Sequence, residues 1–225
     1  MNQKDRTLKE LDGLIEKRSI LQHPFYQAWR EGRLTIEDLA TYAQSYYPHV
    51  AAFPGYLQAA LQTAEDSEVR SELESNLREE LGEPKPHPEL WLDFASGLGL
   101  EREQVSEALP HPAANQIVAA FEKLSEESST SALAALYAYE AQQPEVARTK
   151  ADGLVELYGI DDPQTLAYFE VHAEADLRHR EGERRALERC LSDGASMDEV
   201  LLAAGQALDA YWGLLDGVCA ETGVS

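Results

Sequence analysis

Nothing between Tyr168 and His179 interrupts a helix, and within that run His172, Asp176 and His179 recur at i, i+4 and i+7. All three side chains therefore project from one face of two successive turns. Three metal-ligand side chains aimed the same way constrain the fold strongly. A mononuclear site needs one more ligand and a dinuclear site about three more, and these must come from other helices packed alongside. The spacing alone leaves the choice between the two open.

The remaining chain supplies such helices. Leu8, Leu11, Leu14 and Ile15 predict an amphipathic helix over residues 4–21, and His23-Pro24 starts a second one that carries Phe25, Tyr26 and Trp29 and ends at Gly32. A capped start at Thr35-Ile36-Glu37-Asp38 opens a long helix through Leu61, with possible kinks at Pro48 and Pro54. Asp66-Ser67-Glu68 opens another, ended by Gly82 with Pro84 and Pro86, and His87-Pro88 begins the next. Helix follows from Pro112 to Leu124. A Ser-rich turn at 125–131 precedes 132–142, and Pro144 starts a helix through Leu157. The 162–191 stretch reads as one long helix or two in line, and Met197–Val218 closes the chain. No segment alternates as a strand does. The expectation is an all-α single domain, 1–225, of about eight to eleven helices.

Charge and cysteine content narrow the function. Against 41 acidic residues stand 19 basic ones, a net charge of −22, and no Lys/Arg stripe could follow a phosphate backbone. Nucleic acid is not an expected partner, and the acidity reads as a solvated surface. No stretch approaches a membrane span and Met1-Asn2-Gln3-Lys4-Asp5-Arg6 lacks the apolar core of a signal peptide, so a cytoplasmic location without membrane partners is expected. Cys190 and Cys219, not in CxxC spacing, agree with a reducing compartment.

Three further positions complete a plausible metal site. Glu80 ends one helix, His87 follows seven residues later across the Gly/Pro break, and Glu140 stands in the apolar run Ala134–Ala141. A carboxylate flanked by so much apolar sequence is costly to bury unless paired or metal-bound. Glu80, His87, Glu140, His172, Asp176 and His179 together offer oxygen and nitrogen without thiolate, which suits iron or manganese. The bland alternative is solvated helix charges and ordinary histidines.

The order Glu-x6-His, a lone Glu, then His-x3-Asp-x2-His in a helical chain of this length resembles the haem-oxygenase-like diiron oxidase superfamily, which shares its fold with TENA/PqqC-like proteins. Within it the chain is most similar to the subgroup of the Chlamydia protein associating with death domains and its bacterial relatives. The likeness runs from about residue 10 to 215 and includes His23-Pro24-Phe25-Tyr26, His87-Pro88-Glu89-Leu90-Trp91 and Tyr139-Glu140-Ala141-Gln142-Gln143-Pro144-Glu145-Val146. All six superfamily ligand positions are matched. The resemblance implies a haem-oxygenase-like helical bundle with two metal ions, Fe/Fe or Fe/Mn, between core helices, and O2 with an external reductant as co-substrates. It also implies synthesis of 4-aminobenzoate for folate, in which the enzyme consumes its own residues. Tyr26 matches the tyrosine that supplies the ring and Lys150 the lysine that supplies nitrogen; Tyr139 and Tyr168 match tyrosines beside the metals. Lys150 is the only lysine after Lys123, in a region that otherwise prefers arginine.

Rival readings keep the fold. A dimetal oxidase could act on a diffusible amino acid, amine or fatty acid. A thiaminase would need a catalytic cysteine, but Cys190 and Cys219 lie outside the metal segments. A haem oxygenase would use an N-terminal histidine such as His23 as axial ligand and leave the His172 triplet unexplained. A non-enzymatic protein-binding module would need none of the ligands. The electron donor is not legible, and a homodimer is only the default expectation.

Overall fold

The computed structural model describes residues 3–82 and 85–225, so Met1, Asn2 and the expected helix-stopping Pro84 lie outside the described residues. Those described form helices without a strand: α1 (Gln3–Lys17), α2 (Pro24–Arg30), α3 (Ile36–Thr63), α4 (Ser67–Glu80), α5 (His87–Gly97), α6 (Arg102–Ser106), α7 (Pro112–Glu127), α8 (Ser129–Glu140), α9 (Gln143–Tyr158), α10 (Pro163–Ser192) and α11 (Met197–Thr222). The all-α expectation holds. None of these helices is long and apolar enough to cross a membrane.

Local chemistry fixes most boundaries. Thr35 and Asp38 form a reciprocal capping box, the Asp38 amide donating to Thr35 Oγ1 at 3.1 Å and the Thr35 amide to Asp38 Oδ2 at 2.8 Å. Asp66, Asp162 and Ser196 accept from the first-turn amides of α4, α10 and α11 in the same way. His23 caps α2 through Nδ1 while its Nε2 lies 3.2 Å from Asp216, so both ring nitrogens are engaged in structure, not free to serve an axial haem position.

Two expectations need correction. The first helix stops at Lys17, and Ile20–Gln22 form a separate 3-10 turn because the Ile20 amide donates to Gln142 Oε1, 2.8 Å away on the α8–α9 connection. The Ser-rich turn shrinks to Ser128, which caps α8 by accepting from the Ser131 amide. Of the two forms open to the 162–191 region, the structure has the single unbroken helix. Pro48 and Pro54 lie within α3 without ending it.

The core is organised around α8, whose residues from Thr130 to Glu140 are all buried. A helix buried on every face cannot show amphipathic spacing, which accounts for its Ala-rich sequence. It packs against α3, α7, α10 and α11. This burial carries Tyr139 and Glu140 to the centre of the molecule, opposite the middle of α10.

Candidate metal centre

The six expected ligands are all buried, and they assemble into two groups of three. Glu80, His87 and His172 present ligand atoms within 4.8 Å of one another, and Glu140, Asp176 and His179 do the same. Helix geometry explains the division: at about 1.5 Å rise per residue, His172 and His179 are roughly 10 Å apart along α10, too far to share one ion. The last residue of α4 and the first of α5 are brought together by the connection between them, so that His87 Nδ1 lies 2.8 Å from Glu80 Oε1. In the same group His172 donates from Nδ1 to the Tyr168 carbonyl at 2.7 Å, leaving Nε2 to face the site.

The second group is electrostatically unfinished. His179 Nδ1 lies 3.3 Å from Glu140 Oε2 and 3.4 Å from Asp176 Oδ1, near enough for attraction but without hydrogen-bond geometry, and both its ring nitrogens lack hydrogen-bond partners. Asp176 Oδ2 is likewise unpartnered. Burial pushes the Asp176 carboxyl up to about 7, helped by Glu140 and Glu80 against the pull of His179. Burial alone would push His179 down, yet Asp176 and Glu140 raise it to about 12. His172 is held well below the usual imidazole range by burial and by His87, so it stays neutral. Crowded dry carboxylates, a neutral imidazole and orphaned polar atoms are the condition that bound cations relieve. The residues present therefore fit two ions of the iron or manganese type.

Sequence reasoning missed the support around them. Asn76, one turn before Glu80 on α4, donates from Nδ2 to both Glu140 oxygens at 3.0 and 3.2 Å. Glu79 lies 3.3 Å from His179 Nε2 and is itself held by Arg178 at 2.8 Å. Glu183, buried one turn beyond His179, has two unpartnered oxygens, and burial with Glu140 nearby holds its carboxyl well above the usual range. Its spacing places it on the ligand face of α10, but among the several glutamates of that helix spacing alone does not single it out.

Tyr139 and Tyr168 line a cavity between the two groups together with Val50, Phe53, Glu80, Glu140, His172 and Asp176. At about 10 Å3 it has room for roughly one water-sized molecule. Tyr26 and Lys150 do not line it. They lie across an aromatic layer: Tyr168 stacks on His172 at 4.0 Å, Trp91 meets Tyr168 at 4.7 Å, and Trp91 stacks on Tyr46 at 4.9 Å and touches Tyr42 at 5.7 Å. Tyr46 also shares a 2.7 Å hydrogen bond with the Tyr139 hydroxyl. Beyond this layer Lys150 Nζ donates to the Tyr42 hydroxyl at 2.7 Å, and Tyr42 and Tyr26 share a 3.1 Å hydroxyl contact. The ammonium position lies 5.3 Å from the Tyr26 ring centre. A surface cleft of about 420 Å3 lies elsewhere, beside α1, with Asp12, Arg184 and Tyr137 bonded to one another in its wall.

The chain is similar to known proteins over most of its length. A 4-aminobenzoate synthase of Nitrosomonas europaea is 38% identical over 220 residues, covering 93% of this chain and 89% of that protein. A 4-aminobenzoate synthase of Chlamydia trachomatis serovar D is 40% identical over 210 residues, covering 93% and 90%. The fold matches a Shewanella denitrificans domain of unknown function with a haem-oxygenase-like fold at a TM-score of 0.72 and 19% identity, over 96% of this chain and 90% of that one. The sequence pattern of a family described as iron-containing redox enzymes matches residues 40–212. With two buried three-ligand groups on a haem-oxygenase-like bundle, this is a dimetal redox protein, and the chain belongs to that family of iron-containing redox enzymes.

Proposed function

We propose that the protein forms 4-aminobenzoate in an O2-dependent reaction, with Tyr26 as the source of the ring and Lys150 as the source of the amino nitrogen. Two relatives at 38 and 40% identity that carry the name 4-aminobenzoate synthase support the product. The observation that carries the internal substrate is Lys150 itself: it is 2% exposed, ringed by Tyr26, Tyr42, Tyr46, Trp91 and Phe169, and its ammonium is pushed down to about 7 by burial. A lysine in such a place is neutral, and so nucleophilic, in a substantial fraction of molecules near neutral pH.

Glu80, His87 and His172 would hold one metal ion and Glu140, Asp176 and His179 the other, as Fe/Fe or Fe/Mn. With an external reductant, the bound pair supplies the activation of O2. The rest falls to this chain's own side chains. Val50 and Phe53 keep the O2-sized cavity apolar on one side. Tyr168, Trp91, Tyr46 and Tyr139 form the contacts through which an electron and proton could be drawn from Tyr26. Tyr42 fixes the Lys150 nitrogen and can pass its proton to Tyr26 through the hydroxyl contact. The Cα–Cβ bond of Tyr26 breaks and its benzylic carbon is oxidised to carboxylate with oxygen from O2. The Lys150 nitrogen bonds to the ring carbon that carried the phenol oxygen, which leaves as water. The Nζ–Cε bond of Lys150 is then cleaved oxidatively, leaving an aldehyde at Cε, with O2 as the oxidant and the external reductant supplying the balancing electrons.

Because Nζ bonds to the Tyr42 hydroxyl and not to that of Tyr26, a second reading makes Tyr42 the ring donor. Protein loaded with iron and manganese, then given reductant and O2 without organic substrate, separates these readings by mass spectrometry. Less than one 4-aminobenzoate per chain, with mass lost at Tyr26 and Lys150, is expected. Loss at Tyr42 supports the second reading, and O2 consumption with no such product means a diffusible substrate.

A further inference from the structure

Among the described residues, Glu183 is the one buried acid near the metal-ligand groups that neither triad uses. It lies on α10 at i+4 from His179 and i+7 from Asp176, hence on the ligand face of that helix. It is 1% exposed, and neither carboxylate oxygen has a hydrogen-bond partner. Leaving an ionised carboxylate dry and unpaired costs several kcal/mol, so a buried Glu without a partner calls for a cation or a proton donor. Its charged surroundings offer mostly the wrong sign. Glu140 and Asp176 are carboxylates, and Glu72 of α4 lies directly over Gly182, where any side chain would collide with it. Arg185 is 3.9 Å from Glu72 and largely exposed, so it answers Glu72 from the solvent side. Of the other buried side-chain atoms without a partner, the two His179 nitrogens and Asp176 Oδ2 belong to the second triad, while Trp29 Nε1, His49 Nε2, Asn76 Oδ1 and Ser125 Oγ belong to neither.

We propose that Glu183 is a further carboxylate ligand that closes on the ion held by Glu140, Asp176 and His179. It stands outside the compact set of three ligand atoms, and turning about its side-chain torsions is what brings it in. The inference rests on the reading that the two triads hold metal ions; it is independent of whether Tyr26 or Lys150 is consumed. It also widens a chemical difference that the two positions already have. The first has one carboxylate and two imidazoles, whereas the second goes from two carboxylates to three against one imidazole. Oxygen-rich sets suit manganese and imidazole-rich sets suit iron, so Glu183 acts as a determinant of which ion occupies the second position.

The test compares wild type, Glu183→Gln and Glu183→Asp after anaerobic exposure to Mn(II) alone and to Mn(II) with Fe(II). Metal equivalents are counted after desalting, and thermal midpoints are measured with and without metal. Wild type should hold two ions. Glu183→Gln should bind the second ion about ten-fold to a hundred-fold more weakly, with manganese lost preferentially, while Glu183→Asp should show a smaller loss. The metal-free Glu183→Gln protein should melt no lower than wild type, since an unpartnered carboxyl has been removed, but its metal-induced shift should shrink. Two ions bound with unchanged affinity in both variants would overturn the role of Glu183, as would a lower metal-free midpoint with an unchanged metal shift, which marks a structural group. Wild type that binds no metal would instead overturn the dimetal reading itself.

Discussion

Lys150 Nζ and the Tyr42 hydroxyl sit 2.7 Å apart inside a shell of aromatic rings, and burial is the cause that pushes the lysine from its ordinary 10.5 to about 7. Stability must then depend on pH in a defined sense. Between these two values the unfolded chain binds a proton that the folded chain does not, so stability rises with pH across that window. Below about 7 the full cost is present, and above 10.5 it is gone. Lys150→Met should remove the dependence: its advantage over wild type should be greatest at and below neutral pH, on the order of 5 kcal/mol at most, and fade toward pH 10.5. Urea unfolding of metal-free protein across this range checks it, and parallel curves for the two proteins would show that the lysine keeps its proton.

Asn76 reaches both oxygens of Glu140 from the same helix that carries Glu80, so it fixes the orientation of a ligand in one triad from the backbone of the other. Replacing it with Leu keeps the volume and removes both donors. Metal affinity should fall about ten-fold to a hundred-fold, as is usual when a ligand loses its supporting hydrogen bond. Titration with Mn(II) in competition with a chelator measures this; an unchanged affinity would mean that Glu140 is positioned by packing alone.

Gly153 is required by the approach of α9 to α2. A Cβ there would lie 2.7 Å from Trp29 Nε1, and Trp29 is fully buried, so the ring cannot give way. Gly153→Ala should destabilise the fold by about 1–3 kcal/mol through overpacking. It should also move Lys150, one turn earlier on α9, off Tyr26 and Tyr42. Denaturant midpoints test the first effect, and an amine-reactive probe that begins to label Lys150 in the folded variant tests the second. A variant as stable as wild type, with Lys150 still protected, would show that the close approach is dispensable.

Much of this was legible because it is written in local chemistry. The starts at Thr35 and Asp66 and the prolines at 24, 112 and 144 mark helix beginnings from local sequence. The spacing of His172, Asp176 and His179 marks one helix face, Glu140 stands out in its apolar run, and the resemblance matched all six positions, Glu80 and His87 included. Features fixed by tertiary contact were not legible. The break after Lys17 depends on Gln142, and the pairing of Asn76 with Glu140 joins residues 64 positions apart. Glu183 was hidden for another reason: in a helix that also carries Glu170, Glu174, Glu181 and Glu188, one more glutamate carries no signal until its burial is seen. The division of the His172 triplet between two groups was implicit in the helical rise, but only the positions of Glu80 and Glu140 decide which residue joins which.

That division makes the two positions separately testable. Wild-type protein should gain stability on adding Mn(II) or anaerobic Fe(II), since ligand binding to the folded state alone contributes about 2.7 kcal/mol at a hundred times Kd. For a chain of this size that is roughly 5–10 °C in midpoint, and a chelator should reverse it. His172→Ala should remove the ion shared with Glu80 and His87 and leave the other, whereas Asp176→Ala should do the opposite. Each variant should retain about half of the wild-type metal and part of the thermal shift. Metal analysis of desalted protein reads the outcome. A wild-type midpoint indifferent to metal would sink the metal assignment, and a single substitution that empties both positions would show that the two triads bind only as one unit. Partial retention in both variants is what two adjacent, distinct positions on one face of α10 require.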